Sequence, residues 1–249
     1  MKIEILALVA LLLTLASCRR SPVRAIETTT VENFANFSTP GGDFEYEYSF
    51  EHLSDFSDSE VLGRIRASMI AEFFGPEFVW GDEGGDVVAG AAAFDEAMRQ
   101  NYSTRTDPRY RSNGWLKVAS SVGTVGRHTL TFTVRRSEYM GGAHGMETLH
   151  HANYDLTTGE RIILDELFAP EEREKLIAAI RANILSDKGV DTWERLVADS
   201  CYVVADEVAP TENFLLSRGR VTFVYNPYDI ACFAAGATSV TLPTGKVEL

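Results

Sequence analysis

The stretch Tyr139-Met140-Gly141-Gly142-Ala143-His144-Gly145 is the most unusual in this chain. Three glycines in five residues open positive φ and close backbone approach, and they set an imidazole on a tight connection between two strands. His144 and the surrounding amides could contact a partner, which makes Tyr139, Gly141, Gly142 and His144 candidate binding residues. The same spacing also suits a plain bulge whose histidine bonds a backbone carbonyl. His150 and His151 follow closely, but successive strand residues face opposite ways, so at most one of them, His150, can join His144. A metal site would need a further ligand, for which Glu147, Asp155 and His128 are the options at hand. His128 shares its strand face with Leu130 and Phe132 and reads as a histidine at the core edge. No metal or cofactor is expected.

Nucleophilic chemistry has less support. The sequence holds no Gly-x-Ser-x-Gly elbow, no His-Glu-x-x-His and no phosphate loop. Asp165 and Glu166 could be drawn as acid and base, yet they stand at a helix start, where acidic residues serve the helix dipole. The chain reads as non-enzymatic. An envelope hydrolase, with carboxylates or histidine assembled only by folding, is the alternative.

Charge and cysteines narrow the partner and the compartment. A net charge of −13, from 36 acidic and 23 basic residues, repels nucleic acid and favours a basic partner. Residues 5–13 form a continuous apolar run that ends at Leu15-Ala16-Ser17-Cys18 followed by Arg19 and Arg20. The run has secretory length and is too short for a mature transmembrane helix. It resembles a bacterial lipoprotein signal, which implies cleavage after residue 17 and a diacylglyceryl, acylated Cys18 as the first mature residue. The protein is then expected in the cell envelope, held to a membrane by lipid, and away from cytosolic ATP or NAD. Arg19 in place of aspartate after the cysteine favours the outer membrane in a Gram-negative host. Cys201 and Cys232 remain as a pair in an oxidising compartment, able to form a disulfide or to pack as two buried thiols.

The elements around these residues alternate between two periods. Residues 18–42 read as a flexible tether. Phe44, Tyr46, Tyr48 and Phe50 then alternate with polar residues as a first strand. A Ser57-x-x-Glu60 capping box opens a helix bearing Val61, Ile65, Met69, Ile70 and Phe73, which stops by Gly75-Pro76. A second helix covers residues 90–102. Leu130, Phe132 and Val134 alternate with threonines, and a strand from Met146 to Leu156 turns back through Thr157-Thr158-Gly159-Glu160. Pro170 starts a helix with Leu176, Ile180 and Ile184 on its buried stripe, and Asp191 with Glu194 caps a short one. Strands at 213–216, 221–225 and 238–242 close the chain. The fold expected is α+β, a mostly antiparallel sheet with helices packed on it, as one compact unit in two parts, 43–145 and 146–249, sharing one core.

Three landmarks occur in order: Gly141-Gly142-Ala143-His144-Gly145, Tyr154-Asp155-Leu156-Thr157-Thr158-Gly159, and Leu164-Asp165-Glu166-Leu167-Phe168. With Tyr228-Asp229-Ile230-Ala231-Cys232-Phe233-Ala234-Ala235-Gly236 before a terminal strand, they resemble the RsiV-type extracytoplasmic domain family over residues 43–243. That family includes the outer parts of anti-sigma factors that bind lysozyme, non-catalytic regions of polysaccharide deacetylases, and lipoproteins. Neither sigma-factor control nor deacetylation carries over, because the sequence shows no sigma-binding segment and no deacetylase motifs. The resemblance implies a lipid-anchored envelope binding module for a protein, such as a lysozyme-like enzyme, or a glycan, and adds Tyr228 to the candidate contacts. A structural outer-membrane lipoprotein is a further alternative.

Overall fold

The computed structural model describes residues 26–39, 42–81, 85–103 and 113–244; the signal segment and Cys18 lie outside them. The architecture is α+β, with two sheets and helices packed on each. The first sheet has the order β1-β2-β3-β4-β5, built from β1 (Glu27–Thr39), β2 (Gly42–Asp55), β3 (Gly114–Val125), β4 (Thr129–Tyr139) and β5 (Met146–Asp155). All neighbours run antiparallel except β2 and β3, which are parallel. A parallel pair demands a crossover, and the helices α1 (Ser59–Phe73) and α2 (Val87–Ser103) lie within it.

Local sequence explains these elements. Phe44, Tyr46, Tyr48 and Phe50 bury one face of β2, while Glu45, Glu47, Ser49 and Glu51 lie on the other. Helix α1 starts one residue later than a Ser57 cap would have it. The Asp58 carboxylate accepts from the amides of Glu60 and Val61 at 3.1 and 3.2 Å, the role an N-cap fills. Its buried stripe of Val61, Ile65, Met69, Ile70 and Phe73 packs on the sheet. Asp95 of α2 docks through the phenols of Tyr46 and Tyr48, which donate to it at 2.7 and 3.4 Å. Burial first, then the neighbouring carboxylate, raises both phenol pKa values.

The second lobe holds α3 (Leu164–Leu167), α4 (Arg173–Lys188) and α5 (Trp193–Asp199) with an antiparallel sheet of order β6-β7-β8, at Phe214–Ser217, Arg220–Tyr225 and Thr238–Pro243. Leu176, Ile180 and Ile184 form the buried stripe of α4. Thr192, not Asp191, caps α5, with its hydroxyl accepting from the Arg195 amide at 3.3 Å.

Beyond the two caps, four expectations need correction. Residues 27–39, expected in the tether, form the edge strand β1, where Val31, Ala35 and Phe37 pack partly against the core. The division between the parts does not fall at 145/146, because β5 completes the first sheet. The core is not shared. One apolar cluster runs from Phe44 to Leu156 and a second from Leu164 to Leu242. His128 sits exposed in the turn between β3 and β4, away from the core edge.

The lobes meet along the free edge of β5, and three asparagines make the join. Asn226 Oδ1 accepts from the Leu149 amide at 2.8 Å, and its Nδ2 donates to the Leu149 carbonyl at 3.0 Å. Asn213 Oδ1 accepts from the His151 amide at 2.8 Å, while its Nδ2 donates to Leu149 and to Val224 of β7. Asn153, 1% exposed, reaches the other way, donating to the Phe214 carbonyl and accepting from the Leu216 amide. Side-chain amides thus replace the missing strand and satisfy backbone groups that would otherwise be stranded at a buried edge. Arg161 adds an ion pair to Glu72 of α1.

Candidate functional site

The glycine-rich connection between β4 and β5 lies against a loop of the second lobe. Gly141 and Gly142 adopt φ of 89° and 116°, values that favour glycine. The Tyr139 hydroxyl donates to the Gly142 carbonyl at 2.9 Å and braces the turn. At Gly145 a Cβ would meet the Glu138 carbonyl at 2.9 Å, so only glycine lets the chain pass here close to Trp115. His144 is left exposed, with Nδ1 3.0 Å from the Gly145 carbonyl. Its ring stacks on Phe233 at a centroid separation of 3.5 Å and an interplanar angle of 12°.

The opposing loop, residues 226–236, is pinned in several places. Cys201 and Cys232 form a disulfide, Tyr202 and Ala231 form a β-bridge, and the Val203 amide donates to the Ile230 carbonyl at 2.9 Å. Asn226-Pro227-Tyr228-Asp229 closes a turn through the Asp229 amide to the Asn226 carbonyl at 3.0 Å. Proline at the second position and positive φ at the third fit a type II turn, where glycine is the usual third residue. Here that residue is Tyr228, with φ of 76°, the one non-glycine residue at positive φ among the described residues. It is 57% exposed and lies 6.1 Å, centroid to centroid, from Phe233.

Between the two loops lies an open cleft of about 390 Å³, lined by residues that include Trp115, Ser137, Gly145, Met146, Glu147 and Phe233. Glu147 forms an ion pair with Arg135 and accepts from the Ser137 hydroxyl at 3.2 Å. A second hollow, lined by Glu47, Lys117, Arg135 and Ser137, continues over the open face of the first sheet. That face carries Asp43, Glu45, Glu47 and Glu51 on β2 and Glu32 on β1, with Lys117 paired to Glu45 and Glu47.

The structure therefore brings His144 and Tyr228 to Phe233, while Tyr139, Gly141 and Gly142 shape the turn that carries His144. His150 and His151 stay apart from this group. His150 is exposed on β5 opposite Val134. His151 is buried, 2.9 Å from the Thr133 hydroxyl, and burial, then His150, holds its pKa down at about 4. No group of three or more His, Cys, Asp or Glu able to hold a metal ion occurs among the described residues. Asp165 and Glu166 occupy the first turn of α3, with Asp165 paired to Arg173. Trp115, Ser137, Met146 and Phe233 are wall residues that the sequence pattern did not mark for a partner site, and Glu147 entered it only as an option for a metal ligand. The Asn226-Pro227 pair was the signal available for the loop that carries Phe233.

Comparison with known proteins adds a domain and a fold. A family model described as a protein of unknown function, DUF3298, matches residues 165–245. The match covers most of the second lobe. A crystal structure of a DUF3298 family member from Bacteroides fragilis superposes with a TM-score of 0.77 at 22% identity, covering 89% of this chain and 91% of that one. One of a DUF3298 family protein from Pseudomonas aeruginosa PAO1 gives 0.60 at 15% identity, covering 88% and 91%. At these identities the likeness is one of fold, and it extends over both lobes. No curated protein matches the chain.

Proposed function

We propose that this chain is a non-enzymatic binding module of the cell envelope, anchored through lipid on Cys18, of the RsiV type, and that it engages a basic protein through the junction loops and the open sheet face. The observation that carries this reading is the aromatic platform at the junction. His144 stacks on Phe233, and Tyr228 stands exposed beside them on a loop pinned by a disulfide. Exposed, preordered aromatics lose little freedom when a partner covers them. Tyr228 in a conformation that costs a non-glycine residue roughly 1 kcal/mol or more points the same way, since such outliers collect at functional sites. The acidic residues of the sheet face supply charge complementary to a basic surface.

The experiment is capture of purified lysozyme, a basic protein, by the full-length protein in detergent at low and high salt. Retention at low salt that falls as salt screens the charges, and that falls again in Tyr228→Ala and Glu47→Gln, supports the module. Undiminished retention at all salt concentrations and in both variants removes the electrostatic reading. No retention of lysozyme or of any envelope protein removes the module. Cys18→Ser should move the protein from the membrane to the soluble fraction.

A further inference from the structure

We infer that the cleft between the lobes binds a neutral oligosaccharide, with pyranose rings set against Trp115 and Phe233 and ring hydroxyls bonded to the Glu147–Ser137 pair. This rests on reading the junction as a binding face and goes beyond it by naming a small ligand class. At about 390 Å³ the cleft falls within the range of small-ligand sites. Two aromatic side chains, with Met146 beside them, suit a ligand that presents apolar C–H faces.

The polar groups in the cleft select for neutrality. Glu147 is the one ionisable side chain lining it, and Arg135 already balances its charge. A pair so balanced offers little net attraction to a cation or to an anion. The carboxylate still has acceptor sites beyond those taken by Arg135 and Ser137, and the Ser137 oxygen can accept as well. Neighbouring hydroxyls, each donor and acceptor at once, match this arrangement. The walls are also held in place before a ligand arrives. His144 covers one face of Phe233, and Cys232 ties the adjoining backbone to Cys201. Gly145 lets the backbone beneath Trp115 pass close to Glu138, since any side chain there would strike the Glu138 carbonyl.

The test is titration of the full-length protein in detergent with the N-acetylglucosamine tetramer, cellotetraose and maltotetraose, followed by calorimetry and tryptophan emission. At least one should bind saturably with a change in emission, and Glu147→Gln and Phe233→Ala should each weaken it at least tenfold. Glu147 is exposed, so its variant keeps the fold even if Phe233→Ala does not. Absence of saturable binding by all three sugars up to millimolar concentration overturns the inference. So does binding that both variants leave unchanged. If lysozyme is still captured while no sugar binds, the inference falls and the binding module stands; if neither binds, both fall.

Discussion

Asn226 and Leu149 form a closed amide pair across the two lobes, the side chain of one exchanging both hydrogen bonds with the backbone of the other at 2.8 and 3.0 Å. The pairing copies what a neighbouring strand would offer, yet it ends after one residue; Asn213 extends it to the His151 amide, and Asn153 of β5 makes the reciprocal pairing with Phe214 and Leu216. Replacing Asn226 with alanine leaves a Leu149 amide without its acceptor at a packed junction. We expect a loss of about 1–3 kcal/mol in stability, with Asn226→Asp also destabilising because a carboxylate cannot donate to the Leu149 carbonyl. Denaturant unfolding of the two variants checks this.

Tyr228 gives the opposite sign. Tyr228→Gly should raise stability by about 1 kcal/mol, because glycine accepts the positive φ of the turn without a Cβ clash. The same variant should weaken partner capture. A thermal melt and the lysozyme capture, read together, separate the two effects, and a drop in melting temperature would contradict the turn assignment.

His151 sets an acid limit. Its folded pKa of about 4 lies below the ordinary value of 6.5, so protons bind the unfolded chain more readily between these values. Its contribution to stability is therefore complete above pH 6.5 and is lost as pH falls toward 4, to an extent of up to about 3 kcal/mol. His52, also buried with its pKa lowered mainly by burial, adds in the same direction. His151→Gln should flatten the stability profile between pH 6.5 and 4; an unchanged slope would count against burial as the cause.

The disulfide closes a loop with a sequence separation of 31 residues. Paired Cys201→Ser and Cys232→Ser changes should cost about 2–4 kcal/mol by loosening constraint on the unfolded chain. They should also weaken partner capture, since Cys232 adjoins Phe233. Reductant added to the unaltered protein should lower its melting temperature in parallel.

Much of this fold was legible in the residues because burial imposes period. Phe44, Tyr46, Tyr48 and Phe50 announce β2, and Leu176, Ile180 and Ile184 announce α4. β1 escaped because an edge strand owes its place to pairing with β2 and carries Thr28, Thr30, Glu32 and Asn36 on its solvent side, where no apolar rhythm is needed. Periodicity says which way a side chain faces, but not which core receives it. Hence the two apolar clusters read as one. At the site, the glycine run and Tyr228 stood out by composition. The Phe233 ring beneath His144 did not, since a contact between distant segments leaves no mark in either. The asparagine join was equally silent, because Asn213, Asn226 and Asn153 look like ordinary turn and surface residues until the edge they cap is known.

On the lipid anchor proposed at Cys18, the register of the first sheet bears on where the cleft would lie relative to a membrane. β1 enters at Glu27, level with Asp55, whereas the cleft lies at the far end of the strands, level with Phe44, Gly114 and Tyr139. It also lies toward the opposite edge, beside β5. Four strand spacings across and about ten residues along give a diagonal of roughly 38 Å. With Cys18 acylated, the leash from lipid to Glu27 is short, at most roughly 30 Å when extended. With that anchor, the length of the sheet would act as a spacer, separating the anchored corner from the corner that carries the cleft.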